Sequence, residues 1–412
     1  MTLPILDSST FNLLSLNKDV LASVQRNSYA GQDPFDGLNS HLFKPVPKLR
    51  KGLFGLAWIQ LHKRSIFNFR KLLAVPAGRN PKGIGLFILG LLEDYKRTND
   101  NSHLNEAIKL GDWLLTQQSN LSVEGRATWQ HACWGYHFDW NARAFFVPIG
   151  KPNVITTIYV SQALYALGKV TGDNAYTSTA LDSAHFIVKT LYSEIDGRQF
   201  FAYIPGEDTF VHNASLWGAA WVAFMANVTN NSAYKEMALT VARQSVSEQS
   251  DDGSWVYGAR HHHQFIDGFH TGYNLEALHV LRTALQTTEF DASIALGLAY
   301  YKKELFEEDG TAKYYNTNRY PLDMHSVSQA VLTLLKVSCK KEDVELAGKI
   351  IQRSIDTLFM PSKKRFVYQK HKHFTNKINY IRWTQAWVYY SFAYYNRQLD
   401  ANKLKEGHHG TH

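Results

Sequence analysis

Two Asp–His pairs stand at the head of two strongly apolar stretches of this sequence: Asp267 with His270, and Asp323 with His325. A carboxylate close to an imidazole can fix its tautomer and favour its charged form, so such a pair suits proton transfer near neutral pH. With Tyr257 and Asp139 they make a candidate catalytic set of His270, His325, Asp267, Asp323, Tyr257 and Asp139. The competing reading for Asp267, Asp323 and Asn213 is structural, because Asp and Asn ahead of an apolar run are preferred helix N-caps. A hydrogen-bonded core histidine is the competing reading for each His.

Around these groups lie side chains suited to a sugar: Trp129, His131, Trp134, Tyr136, Trp140, Arg143, His212, Asn213, Trp255, Tyr315, Arg382 and Trp383. Indole and phenol rings pack on the apolar face of a pyranose while polar groups take its hydroxyls. Arg143 and Arg382 could each hold a carboxylate in a bidentate pair, which suits a uronic-acid or otherwise acidic glycan. His261, His262 and His263 read as a solvated loop, since adjacent side chains diverge and no carboxylate or Cys stands at ligand spacing. No metal is expected, and no other cofactor. Gly-rich nucleotide loops and a GxSxG elbow are both absent from the sequence.

The formal net charge of +8 allows an acidic partner, but the Lys and Arg residues form no long run, so nucleic acid is not expected. Cys133 and Cys339 make neither a disulfide framework nor a metal spacing, and suit a reducing compartment. No signal peptide is expected, and the longest apolar run, 83–92, is too short to span a bilayer. A cytoplasmic location follows as the expectation.

The candidates sit in a repeated unit, which decides the fold before any single residue does. It is clearest at 251–278 (DDGSWVYGARHHHQFIDGFHTGYNLEAL): a short extended segment at 253–258, a polar loop, then a buried helix. Weaker copies run at 196–216, 309–327 and 363–387, and a longer one at 124–157. Helices apolar all round, starting near Gly85, Thr156, Asn213, His270, Asp323 and Arg382, form an inner set. Amphipathic helices at 101–118, 174–192, 232–250, 291–306 and 341–359 form an outer set. A further helix at 7–29 would complete it. The expected fold is all-α, an (α/α)6 toroid of helical hairpins with short β segments in the long loops of one face. One domain is expected over 1–412: N-terminal helices to 80 completing the outer layer, regular hairpins over 81–400, and a disordered tail over 401–412. The basic amphipathic stretch 49–69 would pack outside the barrel or touch a membrane surface. Links from inner to outer helices are short, and those from outer to inner are long and carry the candidate residues. The thick face is therefore the expected site, because loops on a rigid scaffold carry function.

Three ordered motifs, WGYHFDWNARAFFVPIGKPNVITT (134–157), DGSWVYG with IDGFHTGYNLEAL, and YPLDMHSVSQA (320–330), resemble a bacterial family of surface-polysaccharide biosynthesis proteins. That family is found with exopolysaccharide, capsule or lipopolysaccharide genes and includes the Vibrio polysaccharide protein J. The likeness spans 81–396. The family itself is similar in fold to six-hairpin glycosidases, and DGFHTGYNLEAL resembles the opening of a helix in glucuronyl C5-epimerases. The resemblance implies a pathway rather than a reaction and carries no catalytic residue across. Two chemistries fit the residues: epimerase- or lyase-type proton abstraction using His or Tyr as base with Arg to neutralise charge, and hydrolysis between two carboxyl groups drawn from Asp139, Asp267 and Asp323. A non-catalytic glycan-binding or assembly protein is the other class. Expected partners are a glycan or lipid-linked oligosaccharide and other polysaccharide-assembly proteins.

Overall fold

The computed structural model describes residues 13–121, 129–141 and 146–409. Its helices are α1 (Leu13–Gln25), α2 (Gly52–Arg64), α3 (Pro81–Thr98), α4 (Asn101–Thr116), α5 (Val154–Thr171), α6 (Asn174–Phe186), α7 (His212–Thr229), α8 (Ser232–Ser247), α9 (Gly268–Leu285), α10 (Asp291–Glu304), α11 (Met324–Thr333), α12 (Lys341–Leu358) and α13 (Ala386–His409). Helices α3, α5, α7, α9, α11 and α13 each pack on the next, and α13 returns to α3, so the inner ring closes. Their sequences explain the position. α7 buries Leu216, Trp217, Ala219, Trp221, Val222 and Met225, which lie all around its circumference. The outer layer is α1, α4, α6, α8, α10 and α12. α12 buries Ala347, Ile350, Ile351, Ile355 and Leu358 on one face and leaves its charged residues mostly outside. A Cβ at Gly85 would lie 3.0 Å from the Tyr159 carbonyl oxygen, so glycine there allows the close approach of α3 and α5.

The links follow the expected asymmetry. Inner helices α3, α5, α7 and α9 and the turn that ends α11 all stop on a left-handed residue, namely Asn99, Gly172, Asn230, Gln286 and Cys339. That conformation turns the chain sharply into the outer helix. At the other end, the long links carry short antiparallel pairs: Tyr192–Ile195 with Arg198–Phe201, Trp140–Asn141 with Phe146–Val147, Leu322–Asp323 with Gln369–Lys370, Gln369–Lys370 with Thr375–Asn376, and Phe359–Met360 with Arg365–Phe366. The 253–258 segment, expected to be extended, forms no strand. It makes one isolated bridge, Gly258 to Val211.

The N-terminal part differs from the expectation. Only α1 joins the outer layer, against α13. Residues 31–79 instead cross the long-loop face. Gly31 pairs with Gly78 and Gln32 with Tyr380. Asn39 donates to the His137 carbonyl (2.9 Å), and Asn376 donates to that of Ser65 (3.0 Å). Helix α2 rests on Trp140–Asn141 and on the turn Asp36–Asn39, not on the side of the barrel. At the other terminus, α13 runs to His409 where a disordered tail was expected from 401, and 410–412 lie outside the described residues. No helix among the described residues is long and apolar enough to cross a membrane.

Candidate active site

The first Asp–His pair forms as a unit. Asp267 is the N-cap of α9: its Oδ1 accepts from the His270 backbone N–H at 2.8 Å. Its Oδ2 accepts from Nδ1 of the His270 ring at 2.7 Å. Asp267 is buried, whereas the His270 side chain is 21% exposed. With Nδ1 donating to the carboxylate, Nε2 is the free nitrogen and is available to take or give a proton. Tyr257 packs on the His270 ring at 4.5 Å, and the Tyr257 ring stacks on Phe265 at 5.1 Å.

The second pair does not form. Asp323 caps α11 through the His325 backbone N–H (2.7 Å), but its second oxygen accepts from Gln369 (2.6 Å), and Trp383 Nε1 approaches both oxygens at 3.2 Å. Burial pushes the Asp323 carboxyl up to about 6 in spite of these donors. His325 lies between Phe269 and Trp387, stacked at 4.6 Å on both sides. The Tyr273 hydroxyl donates to its Nε2 at 2.6 Å, and its Nδ1 has no partner. Burial drives His325 well below the ordinary imidazole range, so the ring is neutral near pH 7.

Tyr273 ties the two regions together. Its ring lies 6.0 Å from that of His270, and its hydroxyl accepts from Nζ of Lys82 at 3.3 Å. Lys82 is buried, and no carboxylate lies within ion-pair distance of it among the described residues. The amine sits instead over the rings of Tyr159 (4.6 Å), Trp387 (5.2 Å) and Tyr273 (5.4 Å). Burial first, and then the Arg382 charge, hold Lys82 well below the usual Lys range, while burial pushes the Tyr273 hydroxyl well above its own. The centre of the ring is thus an aromatic box holding a buried amine, a protonated phenol and a neutral imidazole. On the inner helices, the indole N–H groups of Trp217 and Trp387 and the Oδ1 atoms of Asn213 and Asn274 are also buried without partners among the described residues. Unpaired buried polar groups are costly, which marks a place for a polar ligand or water.

Arg382 and Trp383 enter on a wide π-helical turn, Ile381–Gln385, at the head of α13. Arg382 is not free to take a carboxylate as expected. Its guanidinium already holds Asp33 in a buried bidentate pair (2.6 and 2.8 Å), contributed by the N-terminal segment. Its other face lies over Tyr136 at 4.8 Å, and the Tyr136 and Tyr203 hydroxyls meet at 3.1 Å. The Asp33–Arg382 pair also walls a cavity of about 190 Å³ between 29–39, 76–80 and the start of α3. His325 and Tyr273 do not line that cavity.

The remaining expected residues divide by position. Tyr315 reaches the rim of the box: it bridges to Asp267 through the backbone and lies 5.9 Å from Phe265. His212 and Asn213 are buried at the head of α7. Both His212 nitrogens lack partners among the described residues, and burial lowers its pKa to about 4. Asn213 lies inside the helix and does not cap it, because the residue before α7 is Val211. Trp134 and Trp255 stand apart from the site. Each indole is buried and donates to a backbone carbonyl, of Leu114 and Ser245 respectively (2.9 Å each), so both pack the interior. Trp129 packs on Phe186 at 6.1 Å, and His131 bonds Asp182 (2.9 Å) on outer helix α6, away from the box. Asp139 pairs with Arg50 and accepts from the Ile149 N–H (2.7 Å); it binds loop to N-terminal segment and is no partner for Asp267 or Asp323. Trp140 lies 6.2 Å from Tyr203 beside α2. Arg143 lies outside the described residues. His261–His263 form a 3-10 turn in which His261 and His262 are exposed and His263 is half-buried against Tyr257 (4.9 Å).

Lys82, Tyr159, Tyr273 and Trp387 are the residues that sequence reasoning passed over. For Lys82 the signal was present: it is the one charged residue in an otherwise apolar run from Pro81 to Leu92. Tyr273 stands one turn after His270, which places it on the same face.

No family model matches the chain, and no curated protein matches it. Solved structures do. An unsaturated glucuronyl hydrolase specific for heparin is 12% identical with a TM-score of 0.62, over 95% of this chain and 98% of that one. A polysaccharide lyase is 11% identical with a TM-score of 0.58, over 96% of this chain and 99% of the other. A cellobiose 2-epimerase from Bacillus thermoamylovorans B4167 is 10% identical with a TM-score of 0.56, over 76% of this chain and 87% of the epimerase. The likeness defines the fold, an (α/α)6 toroid. At these identities it carries no residue roles.

Proposed function

We propose that this protein is a glycan-modifying enzyme that abstracts a proton from a sugar of an acidic bacterial surface polysaccharide, or of its lipid-linked precursor. The observation that carries the reading is the Asp267–His270 pair with its free Nε2, joined through Tyr273 to a buried Lys82 that has no carboxylate within ion-pair distance among the described residues. In this reading His270 takes the proton beside the sugar carboxylate. An arriving carboxylate restores the charge of Lys82 and is neutralised by it as the carbanion develops. Tyr273, held protonated by burial, returns a proton or holds the developing oxyanion. The rings of Tyr159, Trp387 and Phe269 supply stacking faces. The three sequence motifs support a role in exopolysaccharide, capsule or lipopolysaccharide assembly, as in the family of the Vibrio polysaccharide protein J. The fold supports carbohydrate chemistry, since a hydrolase, a lyase and an epimerase of sugars share it. Both cysteines are free thiols, in keeping with a cytoplasmic site of action.

One observation favours a second reading. Asp267 and Asp323 cap the adjacent inner helices α9 and α11, and burial pushes the Asp323 carboxyl up to about 6, as a general acid for glycoside hydrolysis between the two carboxylates requires. Proton NMR in D2O, with a panel of acidic bacterial polysaccharides and their oligosaccharide repeats, separates the two. Deuterium at a ring carbon or an unsaturated sugar signal is the expected result. New reducing ends would replace it with hydrolysis. Glycan line broadening with no chemistry would leave a binding protein.

A further inference from the structure

We propose that residues 42–72 form a docking surface for an anionic lipid bilayer. Nine of the fifteen exposed large hydrophobic side chains among the described residues lie in this short stretch, led by Leu53 (87% exposed), Leu72 (80%) and Phe67 (66%). Helix α2 is inverted relative to an ordinary surface helix. It turns Gly55, Ile59 and His62 inward and presents Leu53, Ala57 and Leu61, spaced four apart, to the outside. A soluble surface rarely carries a contiguous apolar patch without a use for it.

The charge pattern says what the surface meets. Residues 37–92 contain ten Lys or Arg and no Asp or Glu, so this stretch alone exceeds the chain's formal net charge of +8. Arg50 is paired with Asp139, Arg70 with Asp36, and Lys82 is buried, but the other seven have no acidic neighbour within the stretch itself. Lys44, Lys48, Lys51, Arg64 and Lys71 are exposed and interleave with the apolar side chains. Alternating Lys/Arg and Leu/Phe on one surface suits the headgroup–acyl boundary, where the rings and aliphatic chains enter and the cations stay with anionic headgroups. A protein interface is disfavoured by the same pattern, because Lys is depleted from such interfaces. A second copy of the chain would set this positive face against itself.

Its position bears on the site. The segment crosses the long-loop face, and Lys63, at the end of α2, lies 4.8 Å over Phe35, whose ring is 5.7 Å from Trp383 at the box. Docking through 42–72 therefore brings the substrate-bearing end of the toroid to the bilayer. The corollary, which rests on the function proposed above, is that the substrate is lipid-linked rather than free. Docking itself is independent of the chemistry.

The test is co-sedimentation of the full-length protein with vesicles of phosphatidylcholine alone and with vesicles holding about 30 mol % phosphatidylglycerol. The expected result is binding to the anionic vesicles only, lost at roughly 0.5 M salt, where charges are screened within a few ångströms. Lys48→Gln, Lys51→Gln and Lys71→Gln should each lower the partition coefficient about fivefold. The combined Leu53→Ser, Phe67→Ser and Leu72→Ser variant should lower it at least tenfold, since these side chains enter the boundary. All six residues are exposed, so circular dichroism melts should match the wild type. Wild-type protein that stays in the supernatant with both vesicle types overturns the proposal, as does binding that neither set of variants weakens. A lipid-free dimer that the serine variant makes monomeric also overturns it, and reassigns the patch to a second copy. None of these outcomes touches the proton-exchange measurement, so the two proposals fail separately.

Discussion

Asp267–His270 and Asp323–His325 look alike in sequence, yet only the first is a pair. Both aspartates cap an inner helix, and both helices are buried. The difference is one residue of spacing. His270 is the third helical residue after its cap, and from there a side chain leans back over the N-terminus and meets the capping carboxylate. His325 is the second, and its ring projects to the side, between Phe269 and Trp387, toward Tyr273. The Asp323 carboxylate then finds Gln369 and Trp383 instead. The first pair offers a partly exposed imidazole with a fixed tautomer, and the second a buried neutral one. In the function proposed above, the proton transfer falls to His270, and His325 orients Tyr273.

The largest effect should fall on His270. The change His270→Gln should lower solvent-proton exchange into the substrate by 10²- to 10⁴-fold, the usual contribution of a general base. Its melting temperature should stay close to that of the wild type, because the side chain is partly exposed.

Asp323→Asn sharpens the contrast through pH. The Asp323 folded-state pKa, about 6, lies above its unfolded value near 3.8. Between those values the native state binds the extra proton. This group's contribution to stability is therefore fully present below about pH 4 and lost as pH rises through 6. The Asn variant lacks that loss. Relative to the wild type it should gain about 3 kcal/mol between pH 4 and pH 7, read from urea midpoints. His212 titrates in the opposite sense: its folded pKa near 4 lies below the usual value of 6.5, so its neutral form adds stability as pH rises through that window. The subtraction of the two proteins removes it.

Tyr273→Phe should cost about 1–3 kcal/mol, since His325 is left with no hydrogen-bond partner and Lys82 loses its acceptor. The smallest stability effect should come from Asp267→Asn. Asn caps a helix about as well as Asp, so unfolding should shift by less than about 1 kcal/mol. Exchange should nonetheless fall with that variant, because an amide no longer fixes the tautomer and orientation of the ring. A capping role alone for Asp267 would move neither readout.

The fold was legible because each level of the sequence agreed. Apolar runs such as 215–226 left no solvent face, the amphipathic runs between them did, and the two kinds of link alternated in length. What the pattern could not show was how the N-terminal segment would lie. Its apolar residues fit an outer helix as well as a surface strap, and the choice is made by contacts far away in sequence, such as Asp33 with Arg382 and Asn39 with His137. The same holds for the site. His270, Asp267 and Tyr257 were visible as polar groups ahead of an apolar helix. Trp134 and Trp255 were visible too, but an indole that stacks on a sugar and one that fills the interior are the same letter. Lys82 and Tyr273 were hidden by their helices, where a polar residue in an apolar run reads as an exception rather than as the lining of a box. Only ring closure, which brings α3, α9 and α11 together, makes them neighbours.

Whether His270 is the base is read most directly from solvent-deuterium exchange into an acidic surface polysaccharide, followed by proton NMR in parallel for the wild type, His270→Gln and His325→Gln. Exchange is expected in the wild type, with its loss in His270→Gln and a weaker but measurable rate in His325→Gln. Loss with His325→Gln and full retention with His270→Gln would contradict that role for His270, and would move the acid–base chemistry to the buried ring beside Tyr273.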